Sequence, residues 1–117
     1  MLKSPTQKVG LSFEIAARKY LEDKGFVWIK SNYSQAGGEI DLIMLDDETL
    51  VFIEVRSRKN NAYGTAAETI GKAKQSKLLN TAEHFILSKK EFSKLNCRFD
   101  VVSYDNGKLN YIKNAFS

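Results

Sequence analysis

A mixed α/β domain with the element order αβββαββ is the fold class this sequence predicts, and three observations predict it. Apolar residues recur at helical spacing in two long segments, near 6–24 and 68–88. Runs rich in β-branched and aromatic residues stand between and after them, bounded by polar or glycine-containing turns. A single proline, Pro5, and the absence of repeats or low-complexity runs in 117 residues leave nothing to act as a linker. One domain over residues 1–117 is therefore the expected organisation.

The first helix is expected over about Thr6–Lys24. Phe13, Ala16, Ala17, Tyr20 and Leu21 make one apolar face, and Gly25 is placed to stop it. Phe26–Ser31 reads as a short strand, followed by a loop through Ser34–Gly38. Glu39–Leu45 and Leu50–Arg58 read as two strands joined by the polar turn Asp46–Thr49, an antiparallel hairpin. Asn60–Gly64 reads as a loop. The second helix is expected over about Glu68–Ser88, with Ile70, Ala73, Leu78, Ala82, Phe85 and Ile86 on its apolar side. Strands at Arg98–Tyr104 and Lys108–Ile112, joined by the turn Asp105-Asn106-Gly107, complete the chain.

Composition limits the chemistry. One cysteine, Cys97, excludes an intrachain disulfide and suits a reducing compartment. One histidine, His84, excludes a histidine-cluster or Cys/His zinc site. A metal would be held by carboxylate and carbonyl oxygens, which points to magnesium or manganese. The first eight residues contain no apolar stretch of signal-peptide type, and no segment approaches the roughly 20 apolar residues of a membrane span. A cytoplasmic protein without membrane contact is the expectation. The net charge is +4. Six basic residues, Arg56, Arg58, Lys59, Lys72, Lys74 and Lys77, against the single acid Glu68, concentrate positive charge between residues 56 and 77. Such clustering is the footprint of a polyanion binder, although a solvated basic surface has the same composition.

The hairpin carries the densest chemistry. With Leu45 opposite Leu50, Asp41 falls opposite Glu54 and Glu39 opposite Arg56. Period-two alternation then projects Glu39, Asp41, Glu54 and Arg56 from one face. Carboxylates facing each other repel, so something must compensate. A divalent cation between Asp41 and Glu54 would do so; a solvated acidic face balanced by Arg56 and Arg58 is the alternative. Glu14 borders the apolar stripe of the first helix, where it can face inward over the sheet or pair with Arg18 one turn on. Asp100, between Phe99 and Val101, is expected to be buried and paired with Arg56, Lys74 or Arg98. His84, Trp28 and Tyr20 read as packing residues. Tyr33 and Tyr63, read as loop residues, are candidates to stack on unpaired bases.

Asp41 followed by Glu54-Val55-Arg56 resembles the Asp…Glu-X-Lys signature of the PD-(D/E)XK nucleases, with arginine where lysine is usual. A closer resemblance, along nearly the whole chain, is to the YraN-type family of small bacterial proteins. It is carried by Gly10 and Glu14, by GEIDLI at 38–43, LVFIEVRSR at 50–58, the Lys74-Gln75 region, CRFDVV at 97–102 and the tail Ile112–Phe116. This family looks like a distant relative of Holliday junction resolvases.

The resemblance implies a restriction-endonuclease-like fold, a mixed sheet flanked by helices. It implies Asp41, Glu54 and the Val55 carbonyl as ligands of magnesium or manganese, with Glu14 completing the site. Arg56 would hold the scissile phosphate, since an arginine does not act as a general base. Gln75 matches a site-contacting glutamine of RecB-like nucleases, with an ordinary solvent-facing helix residue as its alternative. Arg58, Lys72, Lys74, Gln75 and Lys77 would lie along the nucleic acid. The implied function is metal-dependent hydrolysis of DNA phosphodiesters, on branched or repair intermediates, and a homodimer if two strands are cut symmetrically. The rival readings are a nucleic-acid-binding module without catalysis, motivated by Arg56, and a protein-interaction domain that keeps the charges for stability alone.

Overall fold

The computed structural model describes residues 5–35, 37–58 and 70–116, with side chains from residue 11 onward apart from that of Arg58. The elements follow the expected order. They are helix α1 (Pro5–Asp23), strands β1 (Val27–Gln35), β2 (Gly38–Asp46) and β3 (Thr49–Arg58), and helix α2 (Lys72–Ser88), then a 3₁₀ turn at Lys90–Phe92 and strands β4 (Asn96–Asp105) and β5 (Lys108–Phe116). The expected loop at Asn60–Gly64, Tyr63 within it, and the expected helix start at Glu68 lie outside the described residues.

Helix α1 ends as its sequence directs. Gly25 adopts φ +99, and the amides of Gly25 and Phe26 donate to the carbonyls of Glu22 and Leu21 at 2.9 and 3.0 Å. This pair of bonds closes the helix and turns Phe26 back onto Leu21, both buried. The strands form one mixed sheet in the order β1-β2-β3-β4-β5, with β3 and β4 parallel and all other neighbours antiparallel. A parallel pair needs a long crossover, and the segment carrying α2 supplies it.

The sheet has a helix on each face. Leu78, Ala82 and Phe85 of α2 pack on Ile40, Ile43, Leu50, Phe52, Phe99 and Val101. Ala17 and Leu21 of α1 pack on Leu42, Met44, Val51, Ile53, Val102 and Tyr104. Ala16 and Ala73, expected on apolar faces, are exposed.

All five strands exceed their expected lengths, β1, β4 and β5 by three residues or more. β1 runs on through Gln35 because Tyr33, Ser34 and Gln35 pair with Ile40, Glu39 and Gly38. Tyr33 is therefore a strand residue; its hydroxyl meets His84 Nδ1 at 2.7 Å and its ring stands edge-on to Phe85. β4 begins earlier, at Asn96. β5 continues past an irregularity, with Asn114 at φ 55, to pair Phe116 with Phe99. No helix among the described residues is long and apolar enough to cross a membrane.

Candidate functional site

The β2–β3 hairpin has the expected register. Leu45 pairs with Leu50, and the ladder proceeds to Leu42 opposite Ile53. There the strands part. Ile40 packs on the α2 side and Leu42 on the α1 side, whereas regular alternation would put both on one face. Asp41 sits at this break. The expectation that Glu39, Asp41, Glu54 and Arg56 share one face of a continuous ladder is thus corrected: the ladder ends one pair short of Asp41 and Glu54.

The break gives the Asp41 carboxylate a structural task. A continued ladder would set Ile40 opposite Val55; instead the Val55 amide donates to Asp41 Oδ2 at 2.8 Å. The carbonyl and amide of one strand residue point to the same edge, so the Val55 carbonyl also opens on the gap between the strands. Glu54 follows the alternation of Leu50 and Phe52 onto the α2 side, where it is buried and paired with Lys74 Nζ at 3.1 Å.

Two further acids surround Asp41. Glu14 faces inward from α1 beside Ser31, Asn32 and Leu42. The alternative partner of Glu14, Arg18, is engaged elsewhere. Arg18 instead bonds Glu22 at 3.3 Å and lies 4.2 Å above the Trp28 ring. With its nitrogen turned toward the acids, the Asn32 amide donates to both Glu14 oxygens at 3.1 Å and to Glu39 Oε1 at 3.3 Å. Burial, then the charge of Glu54, then those of Glu14 and Glu39, push the Asp41 carboxyl up to about 8, against the Val55 amide, which lowers it. At neutral pH this acid holds its proton unless a cation joins the cluster.

The remaining expected residues separate into two groups. Lys72, Lys74 and Lys77 are exposed on the first turns of α2. Lys74 and Lys77 line an open groove of about 460 Å³ with Gly38, Glu39, Ala73 and Leu78. Gly38 is required there: a Cβ on it would lie 2.5 Å from Thr81 Oγ1 and 3.0 Å from the Lys77 carbonyl. Gln75 does not reach the acids; its amide donates to the Ile70 carbonyl at 2.9 Å and fixes the approach to α2. Arg56 is half-buried, and its Nη1 is buried without a hydrogen-bond partner. The Arg58 side chain lies outside what is described.

Asp100 has the partner expected of it. Arg98 grips it through Nε and Nη2 at 2.9 and 3.0 Å, the Tyr111 hydroxyl donates at 2.5 Å and the Asn114 amide at 2.9 Å. It is a structural carboxylate. Sequence reasoning missed Asn32 and the Lys74–Glu54 pair. An asparagine amid strand formers, here at φ 54, was the one available sign of the first; the second needs the placement of α2.

The donor set can be compared with what a divalent cation needs. Among the described residues, no three histidine, cysteine, aspartate or glutamate side chains are arranged as a ligand set for one ion. Asp41 and Glu54 offer two carboxylates, and the Val55 carbonyl opens beside them. Magnesium is commonly held by one or two carboxylates, waters and substrate phosphates, so this oxygen-only set fits it. The burial and the acid–acid repulsion that raise the Asp41 pKa are costs a cation would relieve.

Comparison with known proteins covers most of the chain. Residues 13–104 match the family described as "Uncharacterised protein family UPF0102". The chain is 42% identical over 110 residues to a UPF0102 protein of Saccharophagus degradans, covering 94% of this chain and 93% of that one. It is also 42% identical over 113 residues to UPF0102 protein YraN of Escherichia fergusonii, covering 96% and 86%.

Proposed function

Starting from the fact that this chain belongs to the UPF0102 (YraN) family, we propose that it is a restriction-endonuclease-like protein that hydrolyses DNA phosphodiesters with magnesium or manganese. The observation that carries this reading is the meeting of Asp41 and Glu54 at the open end of the β2–β3 ladder, with Asp41 driven up to about 8 by burial and three neighbouring acids. Structural carboxylates are normally paired, as Asp100 is. A half-buried cluster of acids is costly by itself and becomes favourable when a cation is bound.

The residues divide the work. Asp41 and Glu54 hold the ion, with the Val55 carbonyl beside them and Glu14 acting through Asn32. When bound, a divalent cation supplies charge against the phosphoryl oxygens and a more acidic water. Lys72, Lys74 and Lys77 bind the sugar–phosphate backbone along the groove at the start of α2, chiefly by counterion release. Branched repair intermediates are the substrate class, on kinship of fold. Arg56 favours a second reading, a nucleic-acid-binding module without catalysis: it replaces the usual lysine and cannot act as a base.

Calorimetric titration of magnesium and manganese into the wild type and Asp41→Asn tests the proposal. The expected result is saturable binding in the wild type that the variant loses, followed by metal-dependent cleavage among branched, single-stranded and duplex DNAs. Binding of neither ion, alone or with DNA present, overturns it. DNA binding that survives chelation and Asp41→Asn without any cleavage establishes the second reading.

A further inference from the structure

Lys74 is the cation that already stands against this acidic cluster. Its Nζ lies 3.1 Å from Glu54 Oε1, and among the described residues no other ion pair reaches Asp41, Glu54 or Glu39. The pair is asymmetric: the Glu54 side chain is 9% exposed and the Lys74 side chain 45%. The carboxylate is fixed in the sheet, while the lysine lies on the surface of a helix and can swing away. Releasing the lysine leaves the buried Glu54 carboxylate without a counter-charge, a cost that an incoming cation would offset.

The place to which Lys74 would swing is also defined. Helix α2 begins at Gly71 without a side-chain cap, and no acid stands in its first turn. Lys72 and Lys74 lie in that turn and Lys77 close behind it, at the end of the helix where positive charge is disfavoured by the backbone dipole. An anion in the groove lined by Gly38, Glu39, Ala73, Lys74 and Lys77 would meet two lysines against one acid, near the end of the helix whose dipole favours negative charge.

We infer that Lys74 is an exchangeable counter-ion: it neutralises Glu54 while no metal is bound, and passes to a substrate phosphate when a divalent cation takes its place. This rests on the metal-site reading proposed above and adds a regulation to it. Metal and nucleic acid then favour each other's binding, because each relieves a cost left by the other. A protein without metal would hold DNA less tightly, since its best-placed lysine is occupied.

The test is calorimetry with manganese chloride on the wild type, Lys74→Met and Lys77→Met, together with fluorescence anisotropy of a labelled duplex oligonucleotide with and without magnesium. Both variants remove one charge from the same groove, but only Lys74 touches Glu54. We expect Lys74→Met to bind manganese about 5-fold more tightly and Lys77→Met to change it by less than about 2-fold. We also expect magnesium to raise DNA affinity more in the wild type than in Lys74→Met. Unchanged or weaker manganese binding in Lys74→Met, an equal gain in both variants, or an equal magnesium effect on DNA binding overturns the exchange while leaving the metal site standing. No manganese binding in any of the three proteins, alone or with the duplex present, overturns the metal site and the exchange together.

Discussion

Two aspartates of the sheet, Asp100 and Asp41, stand in opposite conditions. Asp100 of β4 is enclosed by Arg98, the Tyr111 hydroxyl and the Asn114 amide, and Arg98 is itself held by Asp46 at 3.0 Å. Asp41 of β2 receives one backbone amide and faces Glu54, Glu14 and Glu39. The same side chain is a fastener in one place and, in the other, a crowded acid with no cationic partner among the described residues. Asp41→Asn is expected to raise stability at pH values above the ordinary carboxylate range, and that outcome would show that stability does not account for the second arrangement. The two sites thus separate what the fold needs from what a ligand would complete.

The sharpest way to break the comparison is to remove the fastener. Asp100→Ala leaves Arg98 partly buried with Asp46 as its remaining carboxylate, and takes from the Tyr111 hydroxyl and the Asn114 amide the acid they bond. We expect a loss of about 3 kcal/mol in urea denaturation, in the range for breaking a buried pair. Manganese affinity of the folded variant should be unchanged. A loss below about 0.5 kcal/mol would make Asp100 no more structural than a surface residue.

Gly38→Ala comes next and acts on the open site alone. The added Cβ meets Thr81 Oγ1 and the Lys77 carbonyl, so α2 must move off the start of β2. The expected cost is about 1–2 kcal/mol, typical of overpacking. Because the displaced helix carries Lys74 and Lys77, DNA binding should weaken while the Asp100 network stays intact. Equal stability and equal DNA affinity would show that the close approach at Gly38 does not set the groove.

The two sites were unequally legible in the sequence. Asp100 was readable as a buried acid from Phe99 and Val101, and Arg98 stood among its three candidate partners. What could not be read was the irregularity of β5, which lets Asn114 turn its amide onto the carboxylate. For the hairpin, the turn at Asp46–Thr49 set the register correctly. The departure at Asp41 was not legible, because Ile40 and Leu42 are drawn to opposite helices, and that competition exists only once α1 and α2 are packed. Lys74 is twenty residues from Glu54, and periodicity within α2 cannot say which strand residue it will meet. The lysine-rich start of α2 was visible as composition; its pairing was a matter of tertiary placement.

The smallest expected effect has an unusual sign. Asp41 in the folded protein has its carboxyl raised from an ordinary value to about 8. Between these values the folded state binds more protons than the unfolded state, so stability falls as pH rises through that window. Asp41→Asn removes the titration and keeps an oxygen to accept the Val55 amide. We therefore expect the variant to match the wild type near pH 4 and to exceed it by about 1 kcal/mol or more at pH 8.5. Paired urea denaturation at the two pH values measures this, since contributions from the other acids largely cancel in the difference. Magnesium should shrink the gap at pH 8.5, because a bound cation favours the ionised carboxylate that the variant lacks. A variant less stable than the wild type at pH 8.5 would mean that Asp41, like Asp100, is a fastener, and the contrast between the two sites would fail.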